Sequence, residues 1–131
     1  MRGKVLVVDD DAIALEVVRG RLEEAGFDVV AQNTPMGTGA AVLREKPDVV
    51  LLDVEMPGLT GDAIAQLLRR SEAMKGVPVI LYSGLDLSTL QELARECGAV
   101  GALQKTGDPR AFMAQFERLV ERISRGKSRP S

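Results

Sequence analysis

The chain has 131 residues, the size of one domain with a core of its own, and its 45% hydrophobic and 27% charged residues are an ordinary globular mixture. A formal net charge of −2 exerts no general pull on nucleic acid or on an anionic membrane, so neither is an expected partner. With no histidine and a single cysteine, Cys97, a Cys/His zinc site, a Ser-His-Asp triad and an internal disulfide are all excluded, and the lone thiol suits a reducing cytoplasm.

The apolar run Val5-Leu6-Val7-Val8 is too short for a signal peptide or a membrane span, and Lys4 to Asp9 reads as a buried strand. It ends on Asp9-Asp10-Asp11, a place where aspartate is also a preferred helix cap. Ala14, Leu15, Val18, Leu22 and Ala25 then recur at helical spacing until Gly26. Phe27 to Ala31 is a short strand, and Asn33-Thr34-Pro35 opens a helix with Ala40, Ala41 and Leu43 as its apolar residues.

The centre of the pattern is Asp48-Val49-Val50-Leu51-Leu52-Asp53, an apolar run between two aspartates, with a turn at Met56-Pro57-Gly58. Such a run alone could equally be a piece of buried helix, but Pro47 before it and Pro57 after it favour a strand buried on both faces. A third helix follows with Ile64, Leu67 and Leu68, then a strand at Val77–Tyr82. Next come a helix with Leu87, Leu90, Leu93 and Ala94 closed by Gly98, and a strand from Val100 to Gln104. The last helix starts near Asp108-Pro109 with Phe112, Phe116, Leu119 and Ile123 as its stripe, and residues 125–131 form a polar tail or the start of a linker after a domain at 1–124.

Five strands alternating with five helices predict an α/β fold: a doubly wound, flavodoxin-like sandwich on a five-stranded parallel sheet of order 2-1-3-4-5. That order makes the first and third strands neighbours, so their carboxyl ends bring Asp9 and Asp10 beside Asp53. Three crowded carboxylates repel one another, and a hard, oxygen-seeking divalent cation such as Mg²⁺ offsets the repulsion, with the backbone carbonyl of Glu55 within reach. The fourth and fifth strands end in Ser83 and Lys105, a hydroxyl and an ammonium approaching Asp53 from the other side. Metal, carboxylate nucleophile, hydroxyl donor and lysine are what phosphoryl transfer needs.

The stretches Val5–Asp10, Pro47–Gly58, Pro78–Gly84 and Gly98–Lys105 together make the chain resemble a response-regulator receiver domain of two-component signalling, over nearly its whole length. The resemblance implies phosphoryl transfer onto Asp53 from a phosphohistidine of a sensor histidine kinase or a histidine phosphotransfer protein. Mg²⁺ would be held by Asp9, Asp10, Asp53 and the Glu55 carbonyl. Ser83 would be the switch hydroxyl and Lys105 the phosphoryl group's ion-pair partner. It further implies output through the face of the fourth helix, fifth strand and fifth helix, toward a downstream partner or an attached output domain, from a monomer or a phosphorylation-dependent dimer.

The chain departs from the family pattern twice. Ala102 stands where the family often has an aromatic switch residue, with Tyr82 beside Ser83 instead, and Thr106 follows the lysine where the family commonly has a cis-proline. Two other readings compete: a pseudo-receiver that only binds partners, and a phosphoaspartate-forming hydrolase using Glu55 as its second acid. Gly37-Thr38-Gly39 lacks the lysine and the preceding strand of a phosphate-binding loop.

Overall fold

The structure, a computed structural model, describes residues 2–56, 60–105 and 108–128. Five strands alternate with five helices: β1 (Lys4–Val8), α1 (Ala12–Glu24), β2 (Asp28–Gln32), α2 (Thr38–Glu45), β3 (Val49–Asp53), α3 (Gly61–Arg70), β4 (Val79–Ser83), α4 (Leu87–Cys97), β5 (Gly101–Gln104) and α5 (Pro109–Ser128). The strands are parallel, in the order β2-β1-β3-β4-β5 that the alternation predicts. β3 and β4 are buried along their whole length, as the uninterrupted Val49-Val50-Leu51-Leu52 run requires. β2 at one edge is half-buried throughout.

Side chains alternate across the sheet, and the two faces build two separate cores. Leu6, Val8, Val50, Leu52, Val79 and Leu81 pack with α2, α3 and α4. Val5, Val7, Val49, Leu51, Ile80, Tyr82 and Leu103 pack with α1 and α5, where Phe27 and Phe116 meet edge to face at 5.4 Å. Phe112, Phe116 and Leu119 are buried in α5, with Ile123 half-buried behind them, as their spacing predicts.

In three helices one or two of the expected apolar residues turn to solvent while the others face inward. α2 starts only at Thr38, after Gly37 at φ 82°, so Thr38, Ala41 and Val42 face the core while Ala40 and Leu43 are exposed. In α3 the buried stripe is Gly61, Ile64, Ala65 and Leu68, which leaves Leu67 in solvent. In α4 it is Leu90, Ala94 and Cys97, and Leu87 lies exposed at the first turn. The inward faces mix small and large residues: Ala41 with Val42 in α2, Gly61 and Ala65 with Ile64 and Leu68 in α3, and Ala94 with Leu90 in α4. α5 continues through Gly126 to Ser128, beyond the point where the pattern placed the polar tail. The Pro57-Gly58 turn, the Thr106 peptide and residues 129–131 lie outside the described residues.

Candidate functional site

The carboxyl ends of β1 and β3 converge as their adjacency requires. Oxygens of Asp9, Asp10 and Asp53 all lie within 4.8 Å of one another, with Asp9 and Asp53 buried and Asp10 exposed. The third acid of the run has another task. Asp11 caps α1, its Oδ1 accepting from the Ile13 and Ala14 amides at 3.0 and 3.2 Å.

Lys105, just past β5, brings its ammonium between the two buried acids, 3.1 Å from Asp9 Oδ2 and 3.4 Å from Asp53 Oδ2. Its backbone amide is tied to the Ser83 carbonyl at 2.7 Å, which fixes where the side chain starts. Ser83 is fully buried, and its hydroxyl donates to Glu55 Oε1 at 2.7 Å while accepting from the Leu85 amide at 3.1 Å. The Glu55 amide donates to Asp53 Oδ1 at 3.1 Å, so Glu55 links the central aspartate to the serine. Alternation explains the division. Asp53 continues the face of Val49 and Leu51, whereas Ser83 continues that of Val79 and Leu81 on the other side of the sheet.

One participant carries no assignment in the sequence reading. Tyr82 is the register partner of Asp53 in the β3–β4 pair, and parallel partners face the same side. Its hydroxyl donates to Asp9 Oδ2, and the Lys105 ammonium lies 4.9 Å from its ring centroid. The signal for it was the alternation: Ile80 and Tyr82 share the face of Val49, Leu51 and Asp53.

The electrostatics follow from these contacts. Burial raises the Asp9 pKa, but the Tyr82 hydroxyl, the Asp11 amide and Lys105 outweigh it and hold the carboxyl below its usual range. For Asp53 burial wins: against the Glu55 amide and Lys105, and with Asp9 adding to it, the pKa rises to about 6. Burial pulls Lys105 down, yet the two acids hold it above its ordinary value. Burial, then Asp9, push the Tyr82 phenol upward, so it is a donor at every working pH.

The donor set suits a hard divalent ion: carboxylate oxygens only, one exposed to solvent and two desolvated, with excess negative charge that a single lysine does not cancel.

The response regulator receiver domain model matches residues 5–117. The chain belongs to that family. It is 32% identical over 131 residues to the phosphate regulon transcriptional regulatory protein PhoB of Pseudomonas aeruginosa, an alignment covering 98% of this chain and 56% of the relative. It is also 32% identical to the DNA-binding response regulator MtrA of Mycobacterium tuberculosis, covering all of this chain and 55% of that protein. The receiver domain thus spans about half the length of the curated relatives it matches. Among solved structures it resembles chemotaxis response regulator CheY4 of Vibrio cholerae (TM-score 0.79, 26% identity, 88% of this chain and 97% of that one). It also resembles the BeF3-activated receiver domain of RstA from Klebsiella pneumoniae (TM-score 0.77, 29% identity, 89% and 97%). The expected fold and family are therefore both met.

Proposed function

We propose that this receiver domain accepts a phosphoryl group on Asp53 from the phosphohistidine of a sensor histidine kinase or histidine phosphotransfer protein, in a Mg²⁺-dependent reaction. The observation that carries the reading is the convergence of the Asp9, Asp10 and Asp53 oxygens within 4.8 Å, with Lys105 on Asp53 at 3.4 Å. Asp9, Asp10, Asp53 and the Glu55 main-chain carbonyl would hold the ion. Bound there, Mg²⁺ supplies neutralisation of the phosphoryl oxygens.

The chain's own groups do the rest. With a pKa of about 6, Asp53 is largely ionised at neutral pH, and a carboxylate oxygen attacks phosphorus as the bond to the histidine nitrogen breaks and the imidazole leaves. Lys105 pairs with the transferred group. Ser83 exchanges its bond to Glu55 for one to a phosphoryl oxygen, which moves the β4–α4 connection and biases the α4–β5–α5 face. Water attack on the acyl phosphate returns the resting state, so turnover of a separate substrate is not part of the role. The output is a downstream partner or an attached output domain, read by a monomer that can dimerise when phosphorylated. The domain core runs over 1–124, with α5 extending past it to Ser128, and the setting is cytoplasmic. A phosphoaspartate-forming hydrolase would need the Glu55 carboxylate for acid-base work, and that carboxylate is engaged by Ser83.

Intact mass after incubation with acetyl phosphate and Mg²⁺ tests the reading. One phosphoryl mass is expected on the wild type, none on Asp53→Asn, and none in EDTA. If neither that adduct nor a spectral response to beryllofluoride with Mg²⁺ appears, the pseudo-receiver reading replaces this one.

A further inference from the structure

Tyr82 is completely buried, and a buried tyrosine needs a partner for its hydroxyl; a phenylalanine would fill the same space without one. Here the partner is a candidate metal ligand. Three donors converge on the Asp9 carboxylate: the Asp11 amide on Oδ1 at 2.9 Å, and the Tyr82 hydroxyl and the Lys105 ammonium together on Oδ2. The Tyr82 main chain is held in the same place, its carbonyl accepting from the Val54 amide at 3.2 Å immediately after Asp53. One side chain therefore touches both an acid and the lysine of the site, and its backbone is paired with the central aspartate.

Sharing one oxygen between a neutral and a cationic donor has a consequence. With the hydroxyl present, Oδ2 is held toward Tyr82 and the lysine is one of two donors. Without it the ammonium is the sole side-chain donor on that oxygen, the ion pair tightens, and the carboxylate turns toward a cation that repels a divalent ion.

We propose that Tyr82 is a positioning residue of the metal and phosphoryl site: its hydroxyl holds Asp9 against the pull of Lys105 and keeps the acid pair open to a divalent cation. The inference rests on the reading of Asp9, Asp10 and Asp53 as the Mg²⁺ site. Groups that orient metal-binding carboxylates commonly change metal affinity by about 10–100-fold when removed, and the expected loss here is at the lower end of that range, about tenfold.

Tyr82 is the one tyrosine of these 131 residues and there is no tryptophan, so tyrosine emission of the unmodified chain reports the surroundings of this ring. The test combines Mg²⁺ titration by calorimetry on wild type and Tyr82→Phe with emission of the wild type over the same titration. The expected results are a dissociation constant for Tyr82→Phe weaker by about tenfold, and a wild-type emission change with the same midpoint as the heat. The Tyr82→Phe penalty should also shrink in a Lys105→Met background, because the competing pull is gone. No Mg²⁺ heat in the wild type would overturn the metal-site reading, and this inference with it. Equal affinities for wild type and Tyr82→Phe would overturn the role of Tyr82 alone. So would a penalty of unchanged size beside Lys105→Met, which assigns the loss to packing. If Tyr82→Phe does not fold, the wild-type emission decides: a signal that stays flat through the calorimetric transition overturns the proposal.

Discussion

Asp53 sits 2% exposed against a second buried carboxylate, and burial disfavours its charge. Burial raises its pKa from 3.8 to about 6, over the opposition of the Glu55 amide and Lys105 and with help from Asp9. Because the folded value lies above the unfolded one, the associated stability is fully present below 3.8 and lost as pH rises through about 6. Holding Asp53 ionised near neutral pH therefore costs on the order of 2–3 kcal/mol. Asp53→Asn, which carries no charge, should be more stable than wild type by roughly 2 kcal/mol in neutral EDTA buffer, as read by urea unfolding. That advantage should fade on acidification toward pH 3.8, where the wild-type carboxyl is protonated in both states. Asp9 has the opposite sign: its lowered pKa adds stability that is lost on acidification. Two neighbouring acids thus pull in opposite directions, one anchored by a phenol and an amide, the other kept uneasy and ready to react. The identities of both acids, Ser83 and Lys105 were legible from their places at strand ends. Tyr82 was noticed only as the aromatic beside Ser83, because nothing in an apolar strand shows that its hydroxyl meets Asp9 two strands away.

Element boundaries decide how close these groups come. α3 begins at Gly61, whose amide donates to the Val54 carbonyl at 3.3 Å, and a Cβ built there would lie 2.3 Å from the Asp53 carbonyl oxygen and 2.9 Å from its carbon. Both are main-chain atoms, so nothing flexible can yield. Gly61→Ala should cost about 1–3 kcal/mol by overpacking, measured by urea unfolding, and should slow acetyl phosphate labelling because Asp53 itself must shift. A glycine inside a helical pattern carries no hint in the sequence of what it touches. The same limit applies to the helix stripes of α2, α3 and α4. Their apolar periodicity was visible, yet Leu43, Leu67 and Leu87 face solvent while alanine, glycine and threonine take part in the buried faces. Two helix caps were legible, an aspartate of the 9–11 run capping α1 and Gly98 closing α4 at φ 79°, whereas the Asp86 cap of α4, on the Thr89 amide at 3.1 Å, was not singled out.

At the scale of the whole molecule, the site is a seam between two cores. Tyr82 belongs to the core that α1 and α5 cover, and Ser83 to the side of α3 and α4, so adjacent residues of one strand connect the site to both layers. A small residue, half-buried Ala102, stands on β5 beside a hollow of about 320 Å³ framed by α4 and α5. A divalent ion that binds only the folded acid cluster should stabilise the whole domain, by about 2.7 kcal/mol at a hundred times its dissociation constant. Urea midpoints with Mg²⁺ and with EDTA should show this gain in wild type and lose most of it in Asp10→Asn. The alternation of strands and helices, the sheet order, the buried central strand and the acids, hydroxyl and lysine at the strand ends are all legible in the chain's residues. These follow from periodicity, from proline and glycine punctuation and from the handedness of parallel crossovers, all local or nearly local rules. That Ser83 rests on Glu55, that Tyr82 and Lys105 share one oxygen of Asp9, and which apolar residues turn inward emerge only in the folded molecule. Those depend on separations of a few tenths of an ångström between residues far apart in the chain, and no local rule fixes them.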